Sequence, residues 1–169
     1  MDMWNGRKLA FLPAGVALLL SGMAACSPVP KPLLAAERTE TGQVRVLIAP
    51  CPDYDVLGLS VFLNDNIGEP EIWTARSKLR SGSPGQVELF TPPEGWLVSQ
   101  SSLADTSRPG RYVIDVDGAV NKWSLDGEVA FTAEEFQRLE NGKVITGTRD
   151  GEVMDRTEFM KPDSDRCEP

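Results

Sequence analysis

The chain has no histidine among its 169 residues. That removes the usual general base, the usual activator of a serine or cysteine nucleophile and the commonest metal ligand. Gly-x-x-x-x-Gly-Lys, Gly-x-Ser-x-Gly and Ser-x-x-Lys are absent as well. Phosphate-cradling loops, nucleophile elbows and sites of the penicillin-binding kind therefore lack their carriers. Basic residues are outnumbered, 17 against 25 acidic ones. Such a chain is poorly suited to displace the counterions of a phosphate backbone, so we expect no nucleic-acid partner. Cysteine is scarce, with three copies, and the one long apolar run lies at the N-terminus.

That run carries an address. Arg7 and Lys8 precede a twelve-residue apolar stretch, Leu9 to Leu20, and Ser21-Gly22-Met23-Ala24-Ala25 supplies the small residues a signal peptidase reads. Cys26 follows directly. The arrangement resembles a bacterial lipobox. The resemblance implies cleavage before Cys26, a diacylglycerol on its thiol, and a chain tethered to the cell membrane on the extracytoplasmic face. Two other readings stay open. One is a secreted protein cut by ordinary signal peptidase. The other is an uncleaved anchor, because Leu9 to Pro30 is 22 residues without a charge, long enough to span a bilayer of about 30 Å. Pro13, Gly15, Gly22, Pro28 and Pro30 weigh against a stable spanning helix. Without residues 1–25 the net charge is −9, which fits a soluble, self-repelling exported surface.

With Cys26 acylated, Cys51 and Cys167 remain as an even pair in an oxidising compartment, and a disulfide between them is expected. The alternative is two structural or metal-binding thiols. Two cysteines without histidine make a poor zinc site.

The mature length suits one domain. We divide the chain into a signal peptide over 1–25, a Pro-rich tether over 26–42 and a β-rich domain over 43–169. Pro28, Pro30 and Pro32 stiffen the tether; Leu33 and Leu34 are able to pack on the domain instead. From Val44 onward the hydrophobic period is two. Val44, Val46 and Ile48 share one face; Leu57, Leu59, Val61 and Leu63 alternate with Gly58, Ser60 and Phe62; Tyr112, Ile114 and Val116 alternate with Arg111, Asp115 and Asp117. Shorter strands are expected at 71–76, 86–90, 96–99 and 119–124. Short strands separated by Pro/Gly/Ser-rich pieces predict a mainly β domain, an antiparallel sandwich or barrel. Pro109-Gly110-Arg111-Tyr112 resembles the corner of immunoglobulin-like sandwiches, where a tyrosine hydroxyl ties a strand crossing to upstream backbone. A plain turn followed by a core tyrosine is the alternative. One short helix is expected near 132–140. Thr132 and Glu135 form a capping box, Phe131 and Phe136 a hydrophobic staple, and Asn141-Gly142 a stop. Arg149-Asp150-Gly151 then signals a hairpin.

Carboxylates are what remains for chemistry. Asp115 and Asp117 share a strand face, and Asn64-Asp65-Asn66 with Glu69 makes an oxygen-rich loop. Either is able to offer oxygens to a cation, the loop as a weak calcium site; Asp115 and Asp117 fit no EF-hand loop, and a solvated strand face and a turn are the plainer explanation of both. We assign no metal site, no cofactor and no catalytic residue. Trp73, Trp96 and Trp123 are recognition candidates on composition, yet tryptophans in a small β domain serve the core more often. Trp96, after Pro92-Pro93-Glu94-Gly95, is the one expected nearest the surface. The functional expectation is a non-enzymatic envelope module with a protein or glycan partner. The alternative is a carboxylate-dependent cell-wall hydrolase.

Taken together, the Ala-Ala-Cys, the Lys31-Pro32-Leu33-Leu34-Ala35-Ala36 segment, Cys51-Pro52 after a first strand, Phe136-x-x-Leu139 and the terminal Cys167 resemble small lipoproteins of Streptomyces-type actinobacteria. The resemblance rests on layout. It implies a disulfide-closed extracytoplasmic domain and brings no catalytic residue.

Overall fold

The computed structural model describes residues 32–63, 72–78, 83–102, 105–148 and 151–167. The strands are Leu34–Arg38 (β1), Val44–Ile48 (β2), Tyr54–Leu63 (β3), Trp73–Ser77 (β4), Gln86–Glu88 (β5), Trp96–Ser101 (β6), Arg111–Val120 (β7), Trp123–Ser124 (β8), Gly127–Thr132 (β9), Lys143–Thr146 (β10) and Glu152–Asp155 (β11). They form two antiparallel sheets around one core. The first has the order β11-β10-β1-β2-β5; the second runs β6-β4-β3-β7, with β8 and β9 both pairing β7. The sheets meet where the Ala130 N–H of β9 donates to the Gly147 oxygen at 2.9 Å. The architecture is therefore an antiparallel sandwich and not a closed barrel.

The first correction concerns the tether. Leu34–Arg38, expected to lie in it, is a strand between β2 and β10 in the first sheet. Leu34, Ala35 and Ala36 have no exposed surface. A strand covered on both faces shows no alternation, so period two could not reveal it. Both faces of this sheet are covered. Ala36, Val46 and Ile145 share one face by register; Ala35, Leu47, Glu37 and Val144 share the other, and all of these are buried. A short helix Arg156–Phe159 (α2) packs against β10 and β11, and Arg156 Nε reaches Glu37 Oε1 at 2.9 Å. The C-terminal segment thus lies over the Glu37 face, with Phe159 fully buried.

The second correction concerns phase in β3. Val56 pairs Gly118 and Gly58 pairs Asp117, so Leu57 is an extra residue bulged out of the ladder. The large apolar side chains of β3 in the core are therefore Tyr54 and Val56 before the bulge, then Leu59, Val61 and Leu63 after it. Leu57 is not among them. The third correction is at 119–124, which is a hairpin and not one strand. Asn121 and Lys122 have φ of 49° and 75°, and positive φ at both central residues is what a tight two-residue hairpin turn requires.

The helix Ala133–Arg138 (α1) forms where expected. Glu135 N–H donates to the Thr132 hydroxyl at 3.1 Å, and the Thr132 N–H donates to Glu135 Oε2 at 2.7 Å. Phe131 and Phe136 pack against each other at a tilt with ring centroids 5.2 Å apart, the staple. The helix ends at Leu139 in extended backbone. Gly142 does not cap it; it sits in the next turn, closed by Lys143 N–H to Glu140 oxygen at 3.1 Å. Besides α1, the C-terminal third holds α2 and a 3-10 turn, Ser164–Cys167, so among the described residues the single expected helix is one of three helical pieces. Among the described residues no helix is long and apolar enough to cross a membrane.

Candidate interaction surface

Cys26, Asn64, Asp65, Asn66 and Glu69 lie outside the described residues. Cys51 and Cys167 form the expected disulfide, with Cα atoms 5.4 Å apart. It fastens the 3-10 turn to the segment after β2. Asp115 and Asp117 stand on the outer face of the second sheet, as their spacing predicts. Asp117 Oδ2 pairs with Arg76 Nη1 at 3.5 Å, and Asp115 faces Ser60 and Glu128 across the ladder. Among the described residues there is no group of three or more His, Cys, Asp or Glu placed to hold a metal ion.

The carboxylates with resolved shifts favour the ionised form. The Ser107 hydroxyl and then its N–H hold the Asp105 carboxyl below the usual range; they donate to Oδ1 at 2.6 and 3.0 Å. The Thr132 N–H, followed by its hydroxyl, does the same for Glu135. A general acid for glycoside hydrolysis needs the opposite shift. Buried Glu37 is bound by two cations, Arg45 Nη1 at 3.3 Å and Arg156 Nε at 2.9 Å. It serves as a clamp between β1, β2 and α2.

A groove of about 280 Å³ opens between the Gly42–Val44 turn, Phe90, the Asp105–Ser107 turn and Phe136. That volume sits just under the span of about 300–1,000 Å³ seen for small-molecule sites. Asp105 is the charged residue lining it, and its Oδ1 is already occupied by Ser107.

The three tryptophans divide sharply. Trp73 is 1% exposed and meets Phe90 edge-on at 5.9 Å. Trp96 is half-buried against the core. Trp123, beside the hairpin turn, is 69% exposed. Sequence reasoning expected Trp96 nearest the surface and missed both Trp123 and the two residues after Trp96. Leu97 is 55% and Val98 42% exposed. They belong to β6, the last strand of its sheet, which has β4 on one side and, among the described residues, no strand on the other. By register Val98 shares a face with Ala75, and Leu97 shares the opposite face with Arg76. The signal available in the sequence was the absence of charge from Trp96 through Ser102. Compared with family models, with curated proteins and with solved structures, the chain gives no match.

Proposed function

We propose that the protein is a lipid-anchored envelope lipoprotein that works as a non-enzymatic interaction module, pairing the Trp96–Val98 stretch of β6 with an extended segment of a partner protein. The observation that carries this reading is an edge strand bearing exposed Leu97 and Val98 with no charge of its own. Soluble proteins commonly blunt such edges with lysine, proline or inward charges, because an open strand templates further pairing. Here those guards are missing from Trp96 to Val98, and the bulge between Thr74 and Ala75 interrupts the register only after Val98. Strand addition uses main-chain hydrogen bonds for affinity and alternate side chains for specificity. Leu97 and Val98, pointing to opposite faces, suit that geometry. At this edge a glycan is less well suited, since it stacks on an open aromatic face and Trp96 is packed against the core. Support for the membrane address comes from Cys26 directly after Ala24-Ala25, and from the pairing of the other two cysteines, which leaves Cys26 as the odd thiol.

The test is a photo-crosslinking residue at Ser99 in intact cells, with and without Leu97→Lys and Val98→Lys. A discrete, protease-sensitive adduct lost in the lysine variant is expected. An adduct unchanged by the lysines, one digested by a muramidase and not by protease, or none at all, would overturn the reading.

A further inference from the structure

We infer that the β7–β8 hairpin tip, through Trp123, is a second contact with the bilayer that orients the domain on its anchor. The inference rests on the proposed acylation of Cys26. It begins from where the tether enters the fold. Leu33 fixes that point: its oxygen accepts the Ala49 N–H at 2.9 Å, and a Cβ placed on Gly127 would lie 2.9 Å from Leu33 Cβ. From there β1 leads away to Arg38, whose Nη1 donates to the Gln137 oxygen of α1 at 2.7 Å. Beside it β9 runs from Gly127 to Thr132 and into α1. The chain therefore arrives at the Gly127 end of the sandwich, opposite α1.

Trp123 lies beyond that end. Gly127 pairs Val116 and Trp123 pairs Val120, so the tryptophan stands four strand positions, roughly 13 Å, further out than Gly127. The corner around it is tightly held. Tyr54 pairs Val120, its hydroxyl donates to the Leu125 oxygen at 2.9 Å, and Gly118 leaves room for the ring, since a Cβ there would sit 2.2 Å from that hydroxyl oxygen. The indole is thus presented on a braced tip and not on a loose loop.

The tether is short because β1 took its second half. From Cys26 to Leu33 the chain spans seven residues, at most roughly 25 Å. An acylated Cys26 keeps the Gly127 end within that distance of the bilayer, and the tip covers about half of it. Tryptophan favours the membrane–water interface, where its amphipathic ring meets the headgroups. The charges near this tip are Lys122 in the turn, Asp53 next to Tyr54, Asp55 paired with Ala119, and Asp126, which is engaged by the Ser124 hydroxyl at 3.0 Å. They do not add up to a basic patch, so the contact is interfacial partitioning of the indole and is insensitive to salt.

The experiment couples the thiol of Cys26, in the chain from residue 26 to 169, to a maleimide lipid in phosphatidylcholine vesicles with brominated acyl chains. Loss of part of the tryptophan emission is expected for the wild-type chain, at low and high salt alike, and not for Trp123→Phe. Equal quenching in both chains, or none in either, would overturn the inference. Because the tether is chemical, this result does not depend on acylation in cells. That reading fails separately, if palmitate does not label Cys26 in the producing cell while Cys26→Ala leaves membrane retention unchanged.

Discussion

The hydroxyl of Tyr112 donates to the main-chain oxygen of Arg108 at 2.9 Å, four residues upstream, at the point where the chain enters β7. Its ring is fully buried and stacks on Phe131 at 5.9 Å. One side chain thus fixes the approach to the strand that joins β3 to β8 and β9 in the second sheet, and supports the Phe131–Phe136 pair at the start of α1. This is the tyrosine corner that Pro109-Gly110-Arg111-Tyr112 foreshadowed.

Tyr112→Phe is expected to cost about 1 kcal/mol, the net worth of one hydrogen bond, read as a lower urea midpoint at unchanged slope. The alkaline limb carries a second readout. Burial, and then the Asp105 charge, push the Tyr112 phenol up; burial does the same for Tyr54, assisted by Asp126 and Asp117. Both folded values exceed the unfolded value near 10, so this stability is intact below about pH 10 and is lost as pH rises through the folded values. Denaturation above pH 10 should therefore be less steep in Tyr112→Phe than in wild type. Identical alkaline slopes would remove Tyr112 from this role.

The disulfide closes a sequence separation of 116 residues. On the chain-entropy model its removal costs about 4–5 kcal/mol, with native strain reducing the figure. Cys51→Ala with Cys167→Ala should lower the denaturant midpoint accordingly. It should also expose Phe159, with Arg166 leaving its place over that ring, now 5.1 Å from the centroid. Faster amide exchange in the last ten described residues than in β3 and β7 is the expected pattern. Uniform exchange throughout the chain would show that the tail does not depend on the bond.

At α1, Thr132→Ala should cost about 1 kcal/mol, the usual loss of an N-cap. The same site sets an acid response. The folded Glu135 carboxyl is depressed chiefly by the Thr132 N–H, so its contribution is present above the unfolded value near 4.5 and is lost as pH falls through the folded one. A titration followed by NMR should show Glu135 ionising below free glutamate in wild type. In Thr132→Pro, which removes that N–H, it should move back up, and an unmoved value would assign the depression elsewhere.

The legible parts of this fold were local. Arg111–Val120 buries one face and half-exposes the other, so alternation named it; in Val44–Ile48 only the half-buried Arg45 marks the second face, because Leu47 on that face is buried as well. Thr132, Glu135, Phe131 and Phe136 lie within six residues and named the helix start. The unread parts depended on partners distant in sequence. Ala35 and Ala36 gain their burial from β2 on one side and from β10 more than a hundred positions later on the other. Leu57 is displaced by a bulge that exists only in the pairing with β7.

The same division holds for the surfaces. The sequence by itself determined the absence of histidine chemistry, the acidic balance, the position of Cys26 after its apolar segment and the parity that joins Cys51 to Cys167, because each follows from which residues are present and in what order. Only the tertiary structure decided that Trp73 is core, Trp96 half-covered and Trp123 exposed. It also decided that, among the described residues, β6 ends its sheet and that Leu33, at the start of the fold, lies against Gly127 at the same end as the Trp123 hairpin. Exposure and edge position are properties of what packs next to a residue, and three tryptophans of equal hydrophobicity cannot be told apart until their neighbours are in place.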